Sequence, residues 1–199
     1  MFGFSPDAEY PIINGEKGNV QVLINGKATN GGSDTLLSFD SGLRTNMVPG
    51  LAVASVKSPQ VAEIALEFEA FLSANKEISG SLETDNDIIK LTLNGKQVHG
   101  AMPETGENAG TYLANFLQKF SFGGTAKHYL TYLGTPAHQD TIGKKFGINH
   151  TDDVMGALSM NVGIQKFETD GDLFINFNFR YPKGCLLYTS PSPRDPKTS

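Results

Sequence analysis

The chain has 199 residues, 39% apolar and 19% charged, with 13 Phe, 22 Gly and no Trp, which excludes a disordered, collagen-like or coiled-coil protein. A formal charge of −5 leaves no basic surface to neutralise phosphates, so nucleic acid is not an expected partner. No apolar run approaches the ~20 residues that cross a bilayer, the start shows no signal-peptide pattern, and one cysteine, Cys185, excludes an internal disulfide framework; together these point to a soluble, cytoplasmic protein without membrane contact.

The opening, with Ser5-Pro6-Asp7 and Asn14-Gly15, is rich in turn residues and has no element before it, so it reads as the middle of something larger. Val20, Val22 and Ile24 alternate along a strand over 19–24, and Asn25-Gly26 predicts a tight turn at its end. Two more strands are predicted over 35–40 and 51–56, separated by Gly42 and Pro49-Gly50. Ser58 then reads as an N-cap with Pro59 at the first helical position, and Val61, Ile64, Ala65, Phe68, Phe71 and Leu72 recur at helical spacing. Strands over 78–82 and 87–93 flank a polar turn, with Asn94-Gly95 expected to close a hairpin. A second helix is predicted from Glu107 to Phe120 and a short third one from Ala126 to Leu133. Strands over 158–167 and 173–180 alternate around Asp170-Gly171, the strongest hairpin signal in the chain. The order β-α-β-β-α predicts an α+β fold with a ferredoxin-like layer of sheet and helices, in two lobes. Residues 185–199 hold three Pro and five Ser or Thr with no amphipathic period; they read as a tail, artefactual or disordered, whose wording resembles translated library-adapter sequence.

Few residues offer chemistry. His99, held between small and turn-forming residues ahead of the predicted second helix, is placed to aim an N–H at a ligand oxygen, or is a loop histidine without a role. Asp7 either caps its turn or serves as a metal ligand. Arg180 ends the last strand, where it can grip a carboxylate through two parallel bonds or stand solvated. Asn46 is by default a turn residue. His138-Gln139-Asp140 has the spacing of paired metal ligands but lies in a Pro- and Gly-flanked loop, and is read as structural. Gly31-Gly32 and Gly123-Gly124 lack the Lys-Ser/Thr ending of a phosphate loop, and His128 and His150 sit in no usable arrangement.

Taken together, GFSPDAEYPIINGEKGN, SGLRTNMVPG, NGKQVHGAMPETGENAGTYLANFL, MNVG and NFRYP, in this order from Gly3 to Pro182, resemble the PepV-type dipeptidases of the dinuclear-zinc metallopeptidases, which also include carnosinases, aminoacylases and acetylornithine deacetylase. The resemblance implies a catalytic domain with two zinc ions, manganese or cobalt being alternatives, and a lid that closes over a dipeptide substrate. By that resemblance, residues 1–16 end a catalytic-domain segment and 17–184 form most of the lid. Asp7 matches a zinc ligand, His99 the lid histidine that stabilises the oxyanion, and Asn46 and Arg180 the lid residues that hold the substrate's terminal carboxylate. The family's His-x-Asp, Glu-Glu pair and C-terminal histidine have no counterpart here, so a fragment inactive by itself is expected. A monomer is also expected, because related enzymes pair through their lids whereas PepV-type members fill that role within one chain. The alternative is a non-enzymatic ferredoxin-like module for small-molecule binding or dimerisation.

Overall fold

A computed structural model describes residues 15–185. In chain order they form β1 (Gly18–Lys27), β2 (Thr35–Ser41), β3 (Met47–Val48), β4 (Leu51–Lys57), α1 (Val61–Ala74), β5 (Ser79–Asp85), β6 (Ile88–Asn94) and β7 (Val98–His99). A 3-10 turn (Pro103–Thr105) leads to α2 (Ala109–Leu117) and α3 (Gly124–Gly134), followed by β8 (Thr151–Asp152), β9 (Gly156–Ala157), β10 (Ser159–Glu168) and β11 (Asp172–Tyr181). Seven strands build one antiparallel sheet in the order β1-β11-β10-β2-β4-β6-β5. The fold is therefore α+β. β4 and β5 both pair antiparallel to the β6 between them, so β4-α1-β5 is the split β-α-β unit of a ferredoxin-like layer. The β1-β11-β10 strands join this unit edge to edge through the short register from Gln165↔Ser41 to Glu168↔Ser38.

Alternation decides which face is covered. Ala52, Ala54 and Val56 on β4 and Ile89, Leu91 and Leu93 on β6 are fully buried, and they meet Ile64, Phe68, Leu113 and Leu117 of α1 and α2. Phe116 is the hinge pin of this packing, with ring centroids 5.1 Å from Phe68 and 5.3 Å from both Phe71 and Phe120. Farther along the sheet, Tyr129 of α3 packs its ring against Phe39 and Phe167, and Tyr132 against Phe146 and Phe177. Each large apolar side chain so buried contributes roughly 1.5–3 kcal/mol, which is why the helices stay on one face. No helix among the described residues is long and apolar enough to cross a membrane.

Several local expectations change, each for a definable reason. The first helix starts at Val61 with Gln60 as its cap residue, because the Ser58 hydroxyl accepts from the Gln60 N–H and donates to Asp34 Oδ1 at 2.6 Å. The second starts at Ala109, because Glu107 exchanges both backbone bonds with Lys96 and the Asn108 side chain accepts from the Thr111 N–H. Asn25-Gly26 is not a turn, since β1 continues against Phe174 and Leu173 of β11. Asn94-Gly95 closes no hairpin either. Gly95 is required by close approach, as a Cβ there would stand 2.1 Å from the Glu107 carbonyl oxygen. The two glycine pairs meet each other, Gly31 against Gly123, which lets the β1-β2 connection cross the start of α3. Cys185, expected to open the tail, is 2% exposed and belongs to the core cluster.

Candidate functional site

Loop 42–50, between β2 and β4, is pinned against β10 at the bulge where the register with β11 shifts between Val162 and Ile164. Gly163 supplies the close approach, since a Cβ there would lie 2.3 Å from the Thr45 carbonyl oxygen. Gly42, with φ +84°, lies equally close to Gly163 from the other side. Inside this loop, β3 pairs with β7 so that Met47 faces His99, and the Gly100 N–H donates to the Asn46 carbonyl at 2.8 Å. Asn46 and His99 are thus adjacent and both exposed, although 53 residues separate them in sequence.

His99 is oriented by its own backbone. The Ala101 N–H donates to His99 Nδ1 at 3.2 Å, so in the neutral ring the proton sits on Nε2 and that N–H is the free donor. The 3-10 turn separates this histidine from the start of α2 at Ala109. Arg180 lies on the sheet face opposite the helices. Along β11, Leu173, Ile175, Phe177 and Phe179 turn toward the core, which leaves Asn176, Asn178 and Arg180 on the other face. Ser159 and Asn161 of β10 stand directly across from Arg180 and Asn178 on that same face.

This face is unusual in its chemistry. Among the described residues seven buried side-chain atoms have no hydrogen-bond partner, and five are here: Ser159 Oγ, Asn161 Oδ1, Asn176 Oδ1, Asn178 Oδ1 and Arg180 Nε. Buried polar atoms are nearly always paired, so their concentration around one arginine sets the face apart from the rest of the molecule. Arg180 forms no ion pair with another described residue. A cleft of about 530 Å³ lies beside loop 42–50, lined among others by Asp40, Arg44, Met47, Leu51 and Gln97, and does not include Asn46, His99 or Arg180.

The His138-Gln139-Asp140 segment is engaged in packing. His138 sits edge-on to the Tyr112 ring with centroids 4.5 Å apart, its Nδ1 is 3.3 Å from Thr111 Oγ1, and burial pushes its pKa down to about 4. Gln139 donates to the Tyr112 hydroxyl, and Asp140 accepts from the backbone N–H groups of Lys144 and Lys145. Among the described residues no group of three His, Cys, Asp or Glu is placed to hold a metal ion. Asp7 lies outside the described residues.

No protein-family model matches the chain. It is 38% identical over 182 residues to the Beta-Ala-Xaa dipeptidase of Lactobacillus delbrueckii subsp. lactis, a match that spans 91% of this chain and 38% of that protein. Two staphylococcal proteins whose names provisionally call them dipeptidases are similar as well. The one from Staphylococcus haemolyticus is 36% identical over 186 residues, covering 91% of this chain and 39% of its own, and the one from Staphylococcus saprophyticus is 38% identical over 188 residues, covering 92% and 40%. The chain thus spans about two fifths of the length of the curated relatives it matches.

Proposed function

The chain belongs to the PepV-type dipeptidases, and from that membership we propose that it is the substrate-closing lid of a metal-dependent dipeptidase, joined to the end of a catalytic segment. The observation that carries this reading is the pairing of β3 with β7, which sets Asn46 beside His99 at the edge of the polar face that holds Arg180. His99 presents Nε2–H to the oxygen of a scissile peptide bond, where negative charge gathers as the carbonyl is attacked. Arg180 offers a planar fork of donors to the terminal carboxylate of a short peptide, with Asn46 as a second donor. A fixed span between this grip and the reacting carbonyl selects dipeptides.

A pair of zinc ions would supply an activated water for the attack. The described residues do not fit such a pair by themselves, so Asp7 is assigned as one ligand from the catalytic-domain segment and the others to the rest of the protein, and no step here is routed through it. The opposing reading, a non-enzymatic ferredoxin-like module, draws on the same lack of a ligand cluster, and the dipeptidase names of the relatives weigh against it.

Replacing His99 by Ala in the full-length protein tests the proposal. Loss of one oxyanion donor costs about 2.7–4 kcal/mol, so kcat for a dipeptide falls roughly 10²- to 10³-fold while KM stays nearly constant. An unchanged kcat would remove His99 from the mechanism, and a full-length protein without dipeptide hydrolysis would favour the binding module.

A further inference from the structure

Asn161 is 2% exposed and lies in a strand whose neighbours Met160 and Val162 belong to the core. Its Nδ2 has two hydrogens and both are committed: one to the Thr45 carbonyl at 3.2 Å, the other to the Met47 carbonyl at 2.9 Å. Those two carbonyls bracket Asn46. The same amide nitrogen lies against Gly100, where a Cβ would stand 3.1 Å from it, and Gly100 is bonded to the Asn46 carbonyl and follows His99. One buried side chain therefore touches both segments that carry the exposed Asn46 and His99.

We propose that Asn161 is a positioning residue, which fixes the Asn46 turn and, through the β3-β7 pair, the direction of His99. The assignment rests on the roles given above to Asn46 and His99, and it adds the device that holds them in register. Val48 anchors one end of the two-residue strand pair by burial, whereas Asn46 and His99 are both exposed and gain no such anchor from their own side chains. The bulge gives Asn161 its reach: Gly163 allows β10 to approach loop 42–50 closely, and Asn108 and Gln165 secure the bulge from the core side by donating to the Val162 carbonyl. An aspartate in place of Asn161 would set a carboxylate oxygen against two carbonyl oxygens.

The test is a set of double-mutant cycles on kcat/KM for a dipeptide in the full-length enzyme, using Asn161→Ala and Asn161→Asp, each alone and combined with Asn46→Ala or His99→Ala. Misplacement of reacting groups by about 1 Å costs on the order of 10²-fold, so Asn161→Ala is expected to lower kcat/KM by about 10- to 100-fold, with Asn161→Asp at least as severe. When Asn46 or His99 is already alanine, most of that further loss should disappear. A residue that merely stabilises the fold would give the same loss in every background. Should Asn161→Ala fail to fold, Gly163→Ala displaces the Thr45 segment from the other side and must show the same non-additivity. Additive losses, or an Asn161→Ala enzyme within about twofold of the parent, overturn the inference while Asn46→Ala and His99→Ala still impair activity. If those two variants are silent, the functional reading falls and this inference with it.

Discussion

Both ends of the sheet bury apolar side chains against the helices, but one end also buries a polar set on its other face. Around β4, β6, α1 and α2 the buried residues are apolar and interlock ring against ring, with Phe116 in contact with three other phenyl groups. Around β10 and β11 the core face is equally apolar, but the opposite face buries Ser159, Asn161, Asn176 and Asn178 beside Arg180. The first end meets the ordinary condition for stability, apolar area removed from water. The second end departs from it, and such departures are expected where a protein binds or reacts rather than where it merely folds.

This contrast can be broken by substitution. The largest effect is expected at the apolar end, where Phe116→Ala should lower unfolding free energy by about 3–5 kcal/mol in denaturant titration, through lost burial and the cavity left among the rings. A cost below about 1 kcal/mol would mean that this packing does not hold the helices to the sheet. A smaller, pH-dependent effect is expected at His138, whose burial against Tyr112 holds its pKa at about 4. The unfolded chain takes up the imidazole proton near the ordinary value of 6.5, before the folded chain does. Stability from this group is therefore complete above about pH 6.5, falls as pH drops toward 4, and levels off below that. Melting curves of His138→Phe should lack this limb relative to the parent, and identical limbs would show that the histidine titrates as if exposed.

The smallest effect is expected at the polar end. Asn178 is fully buried, yet its Oδ1 has no partner and its Nδ2 donates only to the exposed Asn19 at 2.8 Å. Asn178→Leu should thus leave stability within about 1 kcal/mol of the parent, because an unpaired buried oxygen is removed along with the bond. A loss comparable to that of Phe116→Ala would mean that the polar face is structural after all.

How legible this was in the sequence depended on whether a signal was local. The β-α-β-β-α order followed from period, and Asp170-Gly171 marked a true hairpin with Asp170 at φ 62°. Asn25-Gly26 and Asn94-Gly95 gave the same dipeptide signal for other reasons, since one glycine is carried inside a ladder and the other meets the Glu107 backbone. Helical spacing starts the second helix at Glu107, a residue that a bridge to Lys96 claims instead. The roles of Asn46, His99 and Arg180 follow from a resemblance, but their arrangement depends on a two-residue strand pair and a bulge that no spacing reveals. Asn161 carries one weak signal, an amide in an apolar strand two residues before a glycine, repeated by Asn176 and Asn178 across the ladder.

The central claim is that the polar end of the sheet grips the carboxylate of a short peptide, and a substrate that lacks that charge tests it most directly. In the full-length protein, kcat/KM for a dipeptide should exceed that for its C-terminal amide by roughly 10- to 100-fold, the worth of a charge-assisted bond of about 1.5–3 kcal/mol. With Arg180→Ala the preference should collapse to within about threefold through loss on the free dipeptide. If Arg180→Ala keeps the parental ratio, the guanidinium does not read the carboxylate, and the polar face requires another explanation.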